Sequence, residues 1–410
     1  MTIERGVALS LSTLFEPAVL ADPYPFYRQL RTLDPVHWDE AWQGWALTSY
    51  ADVKSALSDA RLSAQRLFKK QPSRRLEGAW EPARAVPRAY AQSLLFLDPP
   101  DHTRLRALVV KAFTPRVVEE LRPRIQRLVD GLLDVAEGNG WMEVIGTLAS
   151  PLSVGVIAEL LGVPLEDHAQ FKAWSDDMAP SLDPNHGRPE HGAQAMRAAA
   201  PLLDYMAGLI THRRADLRDG LMQALIAASE GDDALSEADV VISCAGLLFA
   251  GNETTTNLIG NGLLAFLRHP DQLERLRDDP TLIESTVEEM LRYDSPVQLT
   301  ARIAKEDVVI GGKRVGVGQR VVLFLGAANR DPAQFAAPDR FDVGRQENHH
   351  LSFSHGAHFC LGAALARLEG QIAIGTMLRR LPNLRLEAES LEWRDNKDLR
   401  GLRALPVAFG

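Results

Sequence analysis

A cysteine near the carboxyl terminus lies in a loop with the spacing F-x-x-G-x-x-x-C-x-G, which runs from Phe353 to Gly362. A helix is predicted to follow directly, over residues 361–379. A cysteine at the amino-terminal end of a helix meets free backbone N–H groups and the positive end of the helix dipole, and both favour thiolate over thiol. Thiolate is the form that binds metal ions, and the flanking glycines allow a tight turn and the approach of a flat group. The loop therefore predicts that Cys360 is a thiolate ligand rather than an incidental structural cysteine.

A second group of residues that could do chemistry lies in the middle of an apolar segment and reads Ala250-Gly251-Asn252-Glu253-Thr254-Thr255. Residues 237–268 are predicted to form one helix, because Ser236 to Asp239 has the pattern of a capping box and His269-Pro270 ends it. The helix is apolar on nearly every face, so it is expected to cross the middle of the protein. Polar residues in such a helix mark function or strain, and an adjacent acid and hydroxyl can relay protons. The alternative is that the threonine hydroxyls only bond back to their own helix.

Both patterns are similar to those of one family. The cysteine loop resembles the haem-binding loop of the cytochrome P-450 superfamily of haem-thiolate enzymes, and the helix pattern is similar to that family's A-G-x-[DE]-T-T. The resemblance in order and spacing extends over nearly the whole chain. It implies that Cys360 is the axial ligand of a haem b iron and that His358, which stands where many members have arginine, contacts a haem propionate. It also implies that Thr254 and Glu253 assist oxygen activation, through a hydrogen bond and a proton relay respectively.

Three further residues resemble the propionate-binding positions of the family. Arg302 follows a strand-like stretch, whereas His102 and Arg106 lie four residues apart and therefore on one face of a predicted helix. A haem has two carboxylates, and charge-assisted hydrogen bonds to carboxylates favour arginine and histidine. The resemblance thus implies that these three residues bind the cofactor together with His358.

An E-x-x-R pattern, formed by Glu289 and Arg292, lies on a predicted helix ahead of the cysteine. Such pairs are common on solvated helix faces, so the pattern by itself is weak. The resemblance implies instead a buried structural pair that joins the loop around residues 329–341 and fixes the cysteine loop.

Helical patterns dominate the chain, and strand patterns gather near its two ends, at residues 36–48 and 297–325. These strands are expected to pair into a small sheet region beside the helical bulk. The predicted fold class is therefore mainly α with a smaller β region, which the resemblance specifies as the cytochrome P-450 fold with a long central helix over the haem. No long Gly/Ser run or low-complexity block divides the sequence, so residues 1–410 are predicted to form a single domain.

The composition excludes several classes of partner. A net charge of −9 and a pI of about 5.7 argue against a general affinity for nucleic acid or anionic membranes. The amino-terminal segment has only a short, interrupted apolar stretch, so neither a signal peptide nor a membrane span is predicted. The two cysteines, Cys244 and Cys360, cannot form a disulfide framework, which favours a reducing cytoplasm in a bacterial cell.

The electrons for such chemistry must come from another protein. The sequence has no glycine fingerprint for flavin or nicotinamide and no cysteine set for an iron–sulfur cluster. The predicted donors are a ferredoxin and its ferredoxin reductase, with docking near Cys360. A local basic patch would steer an acidic partner, and its candidate members are Arg104, Lys111, Arg116 and Arg367.

The substrate is expected on the haem face opposite Cys360, between four mostly apolar segments. Their candidate lining residues are Leu94, Phe96, Met178, Phe249, Ala250, Val297, Gln298 and Leu299. These side chains predict a mid-sized, largely apolar substrate with Gln298 as its polar anchor. The loops at 60–97 and 180–190 are predicted to act as gates.

The resemblance implies a monooxygenase that uses O2 to hydroxylate or otherwise oxidise this small molecule. Two alternatives stay open at this point, namely a peroxide-driven relative and a non-catalytic haem sensor or carrier. The presence of Glu253 and Thr254 argues against the peroxide-driven alternative. A third alternative, a helical scaffold without haem, would be distinguished by the pigment of the purified protein.

Overall fold

The central helix begins and ends where the sequence predicts. In the computed structural model it spans Glu237–Arg268. The Ser236 hydroxyl accepts a hydrogen bond from the Asp239 N–H (3.1 Å), and the Asp239 carboxylate accepts one from the Ser236 N–H (3.0 Å). This capping box fixes the start, and Pro270 opens the next helix. Most side chains of the central helix are buried, as its apolar composition predicts.

The structure describes residues 9–65, 93–110, 113–178, 189–213, 222, 225–226 and 236–410. The α-helices among them are α1 Pro17–Ala21, α2 Tyr24–Leu33, α3 Tyr50–Ser58, α4 Asp101–Val109, α5 Pro115–Glu120, α6 Arg122–Glu137, α7 Ser150–Leu160, α8 His168–Met178, α9 Pro189–Arg213, α10 Glu237–Arg268, α11 Pro270–Asp278, α12 Ile283–Tyr293, α13 Leu325–Ala328 and α14 Ala363–Arg380. Short 3₁₀ turns occur at Leu11–Phe15, Leu165–Asp167, Pro280–Leu282 and Gly356–His358, and a π-helical turn occurs at Ile145–Ala149. Within these ranges, every helix is too short or too polar to span a bilayer.

The strands lie close to the two ends of the chain. They are β1 Val36–Asp39, β2 Gly44–Leu47, β3 Leu62–Ser63, β4 Trp141–Glu143, β5 Leu299–Ala304, β6 Val308–Ile310, β7 Lys313–Val315, β8 Arg320–Phe324, β9 Arg385–Leu386 and β10 Pro406–Ala408. A five-stranded sheet has the order β1-β2-β8-β5-β3, a three-stranded sheet has the order β4-β10-β9, and β6 and β7 form a hairpin. The predicted pairing between the two ends is confirmed, because β2 from the first hairpin runs parallel to β8.

The core surrounds the central helix and covers both faces of the larger sheet. α10 packs against α7, α8, α9, α12 and α14. In β8, Val321 and Leu323 enter the hydrophobic cluster on one face of the sheet, whereas Val322 and Phe324 enter the cluster on the other. This alternation is the period of a strand that is covered on both sides. The sheet therefore anchors the chain ends to the helical bulk.

The mainly α fold with a smaller β region is confirmed, and two details differ from the prediction. The amphipathic pattern of residues 116–137 predicts one helix, but the structure has two, α5 and α6. Pro123 lies in the first turn of α6, where a proline starts a helix more readily than it continues one. The short strand β4 was not predicted, since three residues carry too little pattern. Most of the two predicted gating loops, at residues 66–92 and 179–188, lies outside the described residues.

Candidate active site around Cys360

The cysteine loop reaches its position through a tight turn at Gly356. This glycine has φ +70°, and a Cβ atom there would lie 3.1 Å from the Leu57 carbonyl oxygen of α3. Only glycine adopts this conformation without strain. The turn leads to Cys360, whose N–H donates to the Phe353 carbonyl at 2.8 Å. The Cys360 side chain is accessible just before the amino-terminal end of α14, and the Gly362 N–H is hydrogen-bonded to its sulfur.

The protein by itself does not favour the Cys360 thiolate, contrary to the expectation from the helix end. Surrounding protein atoms desolvate the sulfur and raise its pKa above the ordinary value, although the Gly362 N–H, Arg106 and Arg367 act in the opposite direction. Desolvation outweighs one hydrogen bond and two cations that lie beside the sulfur. A bound metal ion supplies the missing positive charge, since a coordinating thiol is deprotonated outright. Cys360 therefore fits a metal ligand better than a free reactive cysteine.

Glu289 and Arg292 form a fully buried ion pair on α12. Arg292 Nε lies 2.7 Å from Glu289 Oε2, and Arg292 Nη2 donates to Glu289 Oε1 at 2.8 Å. The remaining N–H groups of Arg292 donate to three backbone carbonyls of the segment that follows α13, those of Asn329, Pro338 and Arg340. Arg345 Nε also lies 3.0 Å from Glu289 Oε2, so losing the Glu289 carboxylate would deprive two arginines of their counter-ion. The pair thus fastens this segment to α12.

Asn329 links the segment after α13 to the cysteine loop through side-chain hydrogen bonds. Its side-chain oxygen accepts from the Leu351 N–H (2.7 Å), and its amide nitrogen donates to the Ser352 hydroxyl (2.8 Å). The next residue is Phe353, whose carbonyl receives the Cys360 N–H. The buried role of Asn329 was not predicted, since a single asparagine in a loop has no distinctive pattern.

A second support was also missed by the sequence analysis. Glu288 accepts two hydrogen bonds from Arg367 of α14 (2.6 and 2.8 Å) and lies 3.2 Å from the buried His350 ring. Burial would raise the pKa of Glu288, but the bonds from Arg367 and His350 outweigh it and lower the pKa to about 2. The Arg367 guanidinium also lies over the Phe353 ring, 4.6 Å from its centroid. This network joins α12, α14 and the cysteine loop.

The predicted propionate-binding residues converge beside the cysteine loop. The His102 ring of α4 lies 4.2 Å from the His358 ring, centroid to centroid. His102 is buried, and its Nε2 has no hydrogen-bond partner among the residues that the structure describes. Arg302 of β5 acts electrostatically on both histidines. Arg106 Nη2 donates to the Phe359 carbonyl at 2.6 Å, one residue before Cys360.

This cluster is rich in donors and poor in acceptors. Burial, followed by the nearby Arg302, lowers the pKa of His358 to about 3. Burial and Arg106 also lower the pKa of His102, and Asp98 is the one carboxylate that opposes these shifts. A ligand with two carboxylates would relieve the crowding of cationic groups and satisfy the orphaned His102 nitrogen. The residues present therefore fit a haem whose propionates lie between α4 and β5 and whose iron binds Cys360.

One face of the central helix is open near its middle. Ala250 is exposed and Thr254 is partly exposed, although most of α10 is buried. Residues four apart share a helix face, so both side chains point to the same space. The Thr254 hydroxyl donates to the Ala250 carbonyl at 2.7 Å, which is the backbone bond that the alternative interpretation expected. The hydroxyl oxygen still has lone pairs that can accept a hydrogen bond from a ligand or water.

Glu253 lies on another face of α10 and is only 4% exposed. Its Oε1 lies 3.4 Å from Arg394 Nη1, and its Oε2 has no hydrogen-bond partner within the described ranges. Burial raises the pKa of Glu253, while Arg394 acts to lower it and is outweighed. A carboxyl group whose pKa is raised holds its proton more firmly and is suited to act as a general acid. The partner Arg394 was not predicted.

An apolar cavity lies among α8, α9, α10 and the segment before α4. It is lined by Ser93, Leu95, Met178, Ala199, Leu202, Leu203, Ile242, Ala245, Gly246 and Phe249. The predicted residues Met178 and Phe249 are among them. From the segment before α4, Leu95 lines the cavity, whereas Leu94 is half-buried beside the core and Phe96 is fully buried.

Gln298 and Leu299, two further predicted pocket residues, are not among those that line this cavity. The Gln298 amide donates to the Ser295 carbonyl (2.8 Å) and the Tyr24 hydroxyl (3.2 Å), and Leu299 is buried in the cluster around Tyr27. Val297 is half-buried and forms a bridge with Leu399 rather than lining this cavity.

The predicted basic patch is largely compensated by nearby carboxylates. Arg116 pairs with Glu120 at 3.0 Å, and Arg367 pairs with Glu288 as described above. Arg104 lies 3.9 Å from Asp239. Lys111 lies outside the described residues.

Comparison with known proteins identifies the family. The family model for cytochrome P-450 matches residues 170–398, which is more than half of the chain. The chain belongs to the cytochrome P-450 family. It is 41% identical over 395 residues to the biotin biosynthesis cytochrome P-450 of Bacillus subtilis, a match that covers 95% of this chain and 97% of that one. It is 42% identical over 406 residues to the vitamin D(3) 25-hydroxylase of Pseudonocardia autotrophica, covering 97% and 96%.

Solved structures of P-450 proteins share the fold over almost the whole chain. The structure of P450BioI, in complex with an acyl carrier protein ligated to hexadec-9Z-enoic acid, has a TM-score of 0.89 and 40% identity and covers 96% of this chain and 99% of that one. The structure of a Bacillus megaterium P-450 in complex with testosterone has a TM-score of 0.87 and 35% identity, covering 96% and 100%.

Membership of the family establishes the class of reaction. The protein is a haem-thiolate monooxygenase that binds haem b and acts with O2 on a small-molecule substrate.

Proposed function

We propose that this P-450 oxidises a mid-sized, largely apolar organic molecule bound in the apolar cavity described above. The observation that carries the proposal is the position of Gly246, which lines this cavity and lies one helical turn before Ala250 on the open face of α10. A substrate in the cavity would thus lie beside the helix face that holds Thr254. Two similar proteins support an apolar substrate: one is a vitamin D(3) 25-hydroxylase, and the other has a solved structure in complex with testosterone.

We assign roles to the residues of the site on their chemistry. Cys360 binds the haem iron, while His102, Arg106, Arg302 and His358 hold the propionates. Bound haem supplies the one-electron and oxygen chemistry that amino-acid side chains lack. Thr254 accepts and orients a hydrogen bond near the substrate, and Glu253 supplies protons to it. Glu289 and Arg292 hold the segment that contains Asn329, and this segment in turn keeps the cysteine loop in place.

We infer that the electrons come from a ferredoxin and its reductase, and that the chain acts as one domain in the bacterial cytoplasm. The sequence lacks motifs for a flavin, a nicotinamide or an iron–sulfur cluster, which supports a separate electron donor. Electrostatic steering by the arginines described above is weakened, because Arg116 and Arg367 are paired within the chain. Apolar contact would then contribute to docking, and Phe359 is 41% exposed beside Cys360.

The spectrum of the reduced protein under carbon monoxide tests the assignment of Cys360. A red-shifted absorption band that is typical of sulfur-ligated haem is expected from the parent and should disappear in Cys360→Ser. Cys244→Ser is the matched control, since Cys244 is buried and has its pKa raised by burial alone. A normal band in Cys360→Ser would overturn the assignment.

A screen of compounds tests the assignment of the cavity. Apolar compounds that fit the cavity should displace water from the iron and shift the haem spectrum, and their oxidation should require the ferredoxin pair. Preference for small, highly charged compounds would contradict the proposed substrate class.

A further inference from the structure

The cation nearest to the Glu253 carboxylate comes from the carboxyl-terminal loop, residues 393–402. We propose that Arg394 is a positioning residue that holds Glu253 and connects it to solvent through the cavity between this loop and the amino-terminal segment. This inference rests on the proposed function of Glu253 as a proton donor. It goes beyond that function because it names the route of the protons and the residue that controls it.

Arg394 is held firmly enough to orient a carboxylate. Its backbone N–H donates to the Gly401 carbonyl at 2.9 Å, and its Nε donates to the Leu402 carbonyl at 3.4 Å. Trp393 and Leu402 form a β-bridge across the same loop. The guanidinium therefore has one end fixed on the loop and the other, Nη1, directed at Glu253 Oε1. This geometry leaves Oε2 as the carboxyl oxygen without a partner among the described residues, so it can exchange a proton.

Arg394 also lines a second cavity, which gives the pair its access to solvent. This cavity lies between the carboxyl-terminal loop and residues 14–27. Its polar lining residues are Gln298, Arg394, Asn396, Lys397 and Arg400. Arg394 is 25% exposed although Glu253 is 4% exposed, so the arginine spans the boundary between the cavity and the buried carboxyl. The apolar substrate cavity lies on the other side and has different lining residues, which keeps the two paths separate.

Other charged groups near this path are paired within the chain. Lys397 lies 3.5 Å from Asp398, and Arg400 lies 2.7 Å from Asp294. From α8, Lys172 and Asp176 both act on Glu253, and they pair with each other.

The helices beside this turn of α10 add little charge. The one charged residue of α7 is Glu159, which pairs with Arg124 at 3.0 Å. α14 contributes the buried Glu369. Of the groups that act on Glu253, Arg394 has the largest effect after burial itself, so its removal should alter Glu253 most.

The proposed step moves one proton and leaves the chain unchanged. The ionised Glu253 carboxylate, paired with Arg394, takes a proton from solvent in the cavity and becomes neutral, which weakens its attraction to the guanidinium. The neutral carboxyl then gives this proton towards Thr254 and returns to the ionised form beside Arg394. Each proton delivered thus comes from bulk solvent, and Arg394, which favours the ionised carboxylate, promotes the release of the proton from Glu253.

The experiment compares Arg394→Gln with the parent in two ways. The first is infrared titration of the substrate-free haem protein, in which the band of the protonated Glu253 carboxyl is identified by its loss in Glu253→Gln. In Arg394→Gln this band should persist to higher pH, because the cation that favours the ionised form is gone. The second is the ratio of product to O2 consumed, which should fall by roughly tenfold at neutral pH, as for the loss of one general acid.

The controls separate a structural role from the proposed one. Arg403→Gln removes an exposed arginine that directly follows this loop and should leave both measurements unchanged. Arg394→Lys keeps a cation and should restore much of the parent titration. Two results together would overturn the proposal. The Glu253 carboxyl band would titrate at the same pH in Arg394→Gln as in the parent, and the ratio of product to O2 consumed would equal that of Arg403→Gln. If Glu253→Gln leaves coupling unchanged, the proposed proton donor fails, while the infrared comparison still decides whether Arg394 controls Glu253.

Discussion

Thr254 and Glu253 are neighbours in sequence but differ in their surroundings. Thr254 is partly exposed on the open face of α10, whereas Glu253 is buried against the carboxyl-terminal loop. A helix rotates by about 100° per residue, so adjacent residues necessarily face different partners. One side chain therefore meets the ligand, while the other meets the route to solvent.

Replacing Thr254 by alanine should leave haem binding intact but lower the amount of product formed per electron pair consumed. The variant retains every residue proposed to bind the cofactor, but it lacks the hydroxyl that accepts a hydrogen bond beside the substrate. Product formed per reducing equivalent is expected to fall by about ten- to a hundredfold, with the electrons appearing as hydrogen peroxide. Thr254→Ser, which keeps the hydroxyl, is the control and should couple nearly as the parent does. Unchanged coupling in the alanine variant would remove Thr254 from the mechanism.

Two buried glutamates should show opposite pH dependence of stability. The pKa of Glu253 is raised by burial, so ionising it in the folded protein lowers stability as pH rises above 4.5, its usual value. Glu253→Gln is thus expected to be more stable than the parent at neutral pH, and the difference should vanish below that value.

Glu288 has its pKa lowered to about 2, so its stabilisation is present above 4.5 and is lost as pH falls towards 2. Glu288→Gln should therefore be less stable than the parent at neutral pH and approach it in acid. Urea unfolding of the haem protein between about pH 3 and 8 measures both curves. If the stability difference from the parent changed with pH in the same direction for both variants, the environments assigned to Glu253 and Glu288 would be refuted.

At the scale of elements, the cysteine loop depends on contacts that lie far from it in sequence. α12 presents Glu289 and Arg292 to the segment after α13, and Asn329 of that segment binds the residues just before Phe353. The turn at Gly356 then packs against α3. Cys360, the proposed iron ligand, is thus positioned by a chain of buried hydrogen bonds rather than by its own helix.

Arg292→Lys should destabilise the protein despite keeping the charge. Lysine cannot reproduce the bidentate bond to Glu289 and the three bonds to backbone carbonyls, so buried acceptors lose their partners. Each buried acceptor left without a partner should lower the free energy of unfolding by about 1–3 kcal/mol, and haem occupancy should fall with it. Arg116→Lys is the matched control, because its pair with Glu120 is solvent-exposed, and it should cost less than about 0.5 kcal/mol. Equal losses in the two variants would show that the buried pair has no special role.

At the scale of the molecule, the substrate cavity forms where three helices and the segment before α4 meet. Its walls combine Met178 of α8, Leu202 and Leu203 of α9 and Phe249 of α10, which no local pattern brings together. The second cavity forms in the same way between the two ends of the chain, which the five-stranded sheet holds close to each other. Substrate and protons thereby reach α10 from different sides.

Phe249→Ala should enlarge the substrate cavity without preventing haem binding. Loss of a buried phenyl ring removes apolar contacts, so a compound that fills the parent cavity should bind about tenfold more weakly, while bulkier compounds gain affinity. Spectral titration with a series of compounds of increasing size measures this change. Phe266→Leu is the control, since Phe266 is buried elsewhere on α10 against Phe341. An unchanged size preference in Phe249→Ala would place the substrate outside this cavity.

The sequence by itself determined the features that rest on local rules. The capping box and His269-Pro270 fixed both ends of α10, and the loop from Phe353 to Gly362 marked the iron ligand, because caps, turns and motif spacings involve residues close in the chain. The alternating apolar patterns likewise marked the strands at both ends. Only the tertiary structure decided burial and pairing between distant residues.

The tertiary structure buried Gln298 against Tyr24, raised the pKa of Cys360 against the effect of its helix end, and gave Glu253 the partner Arg394. These outcomes depend on which segments meet in space. Desolvation and long-range charge act through distance in the folded protein, and neither is encoded in the spacing of neighbouring residues.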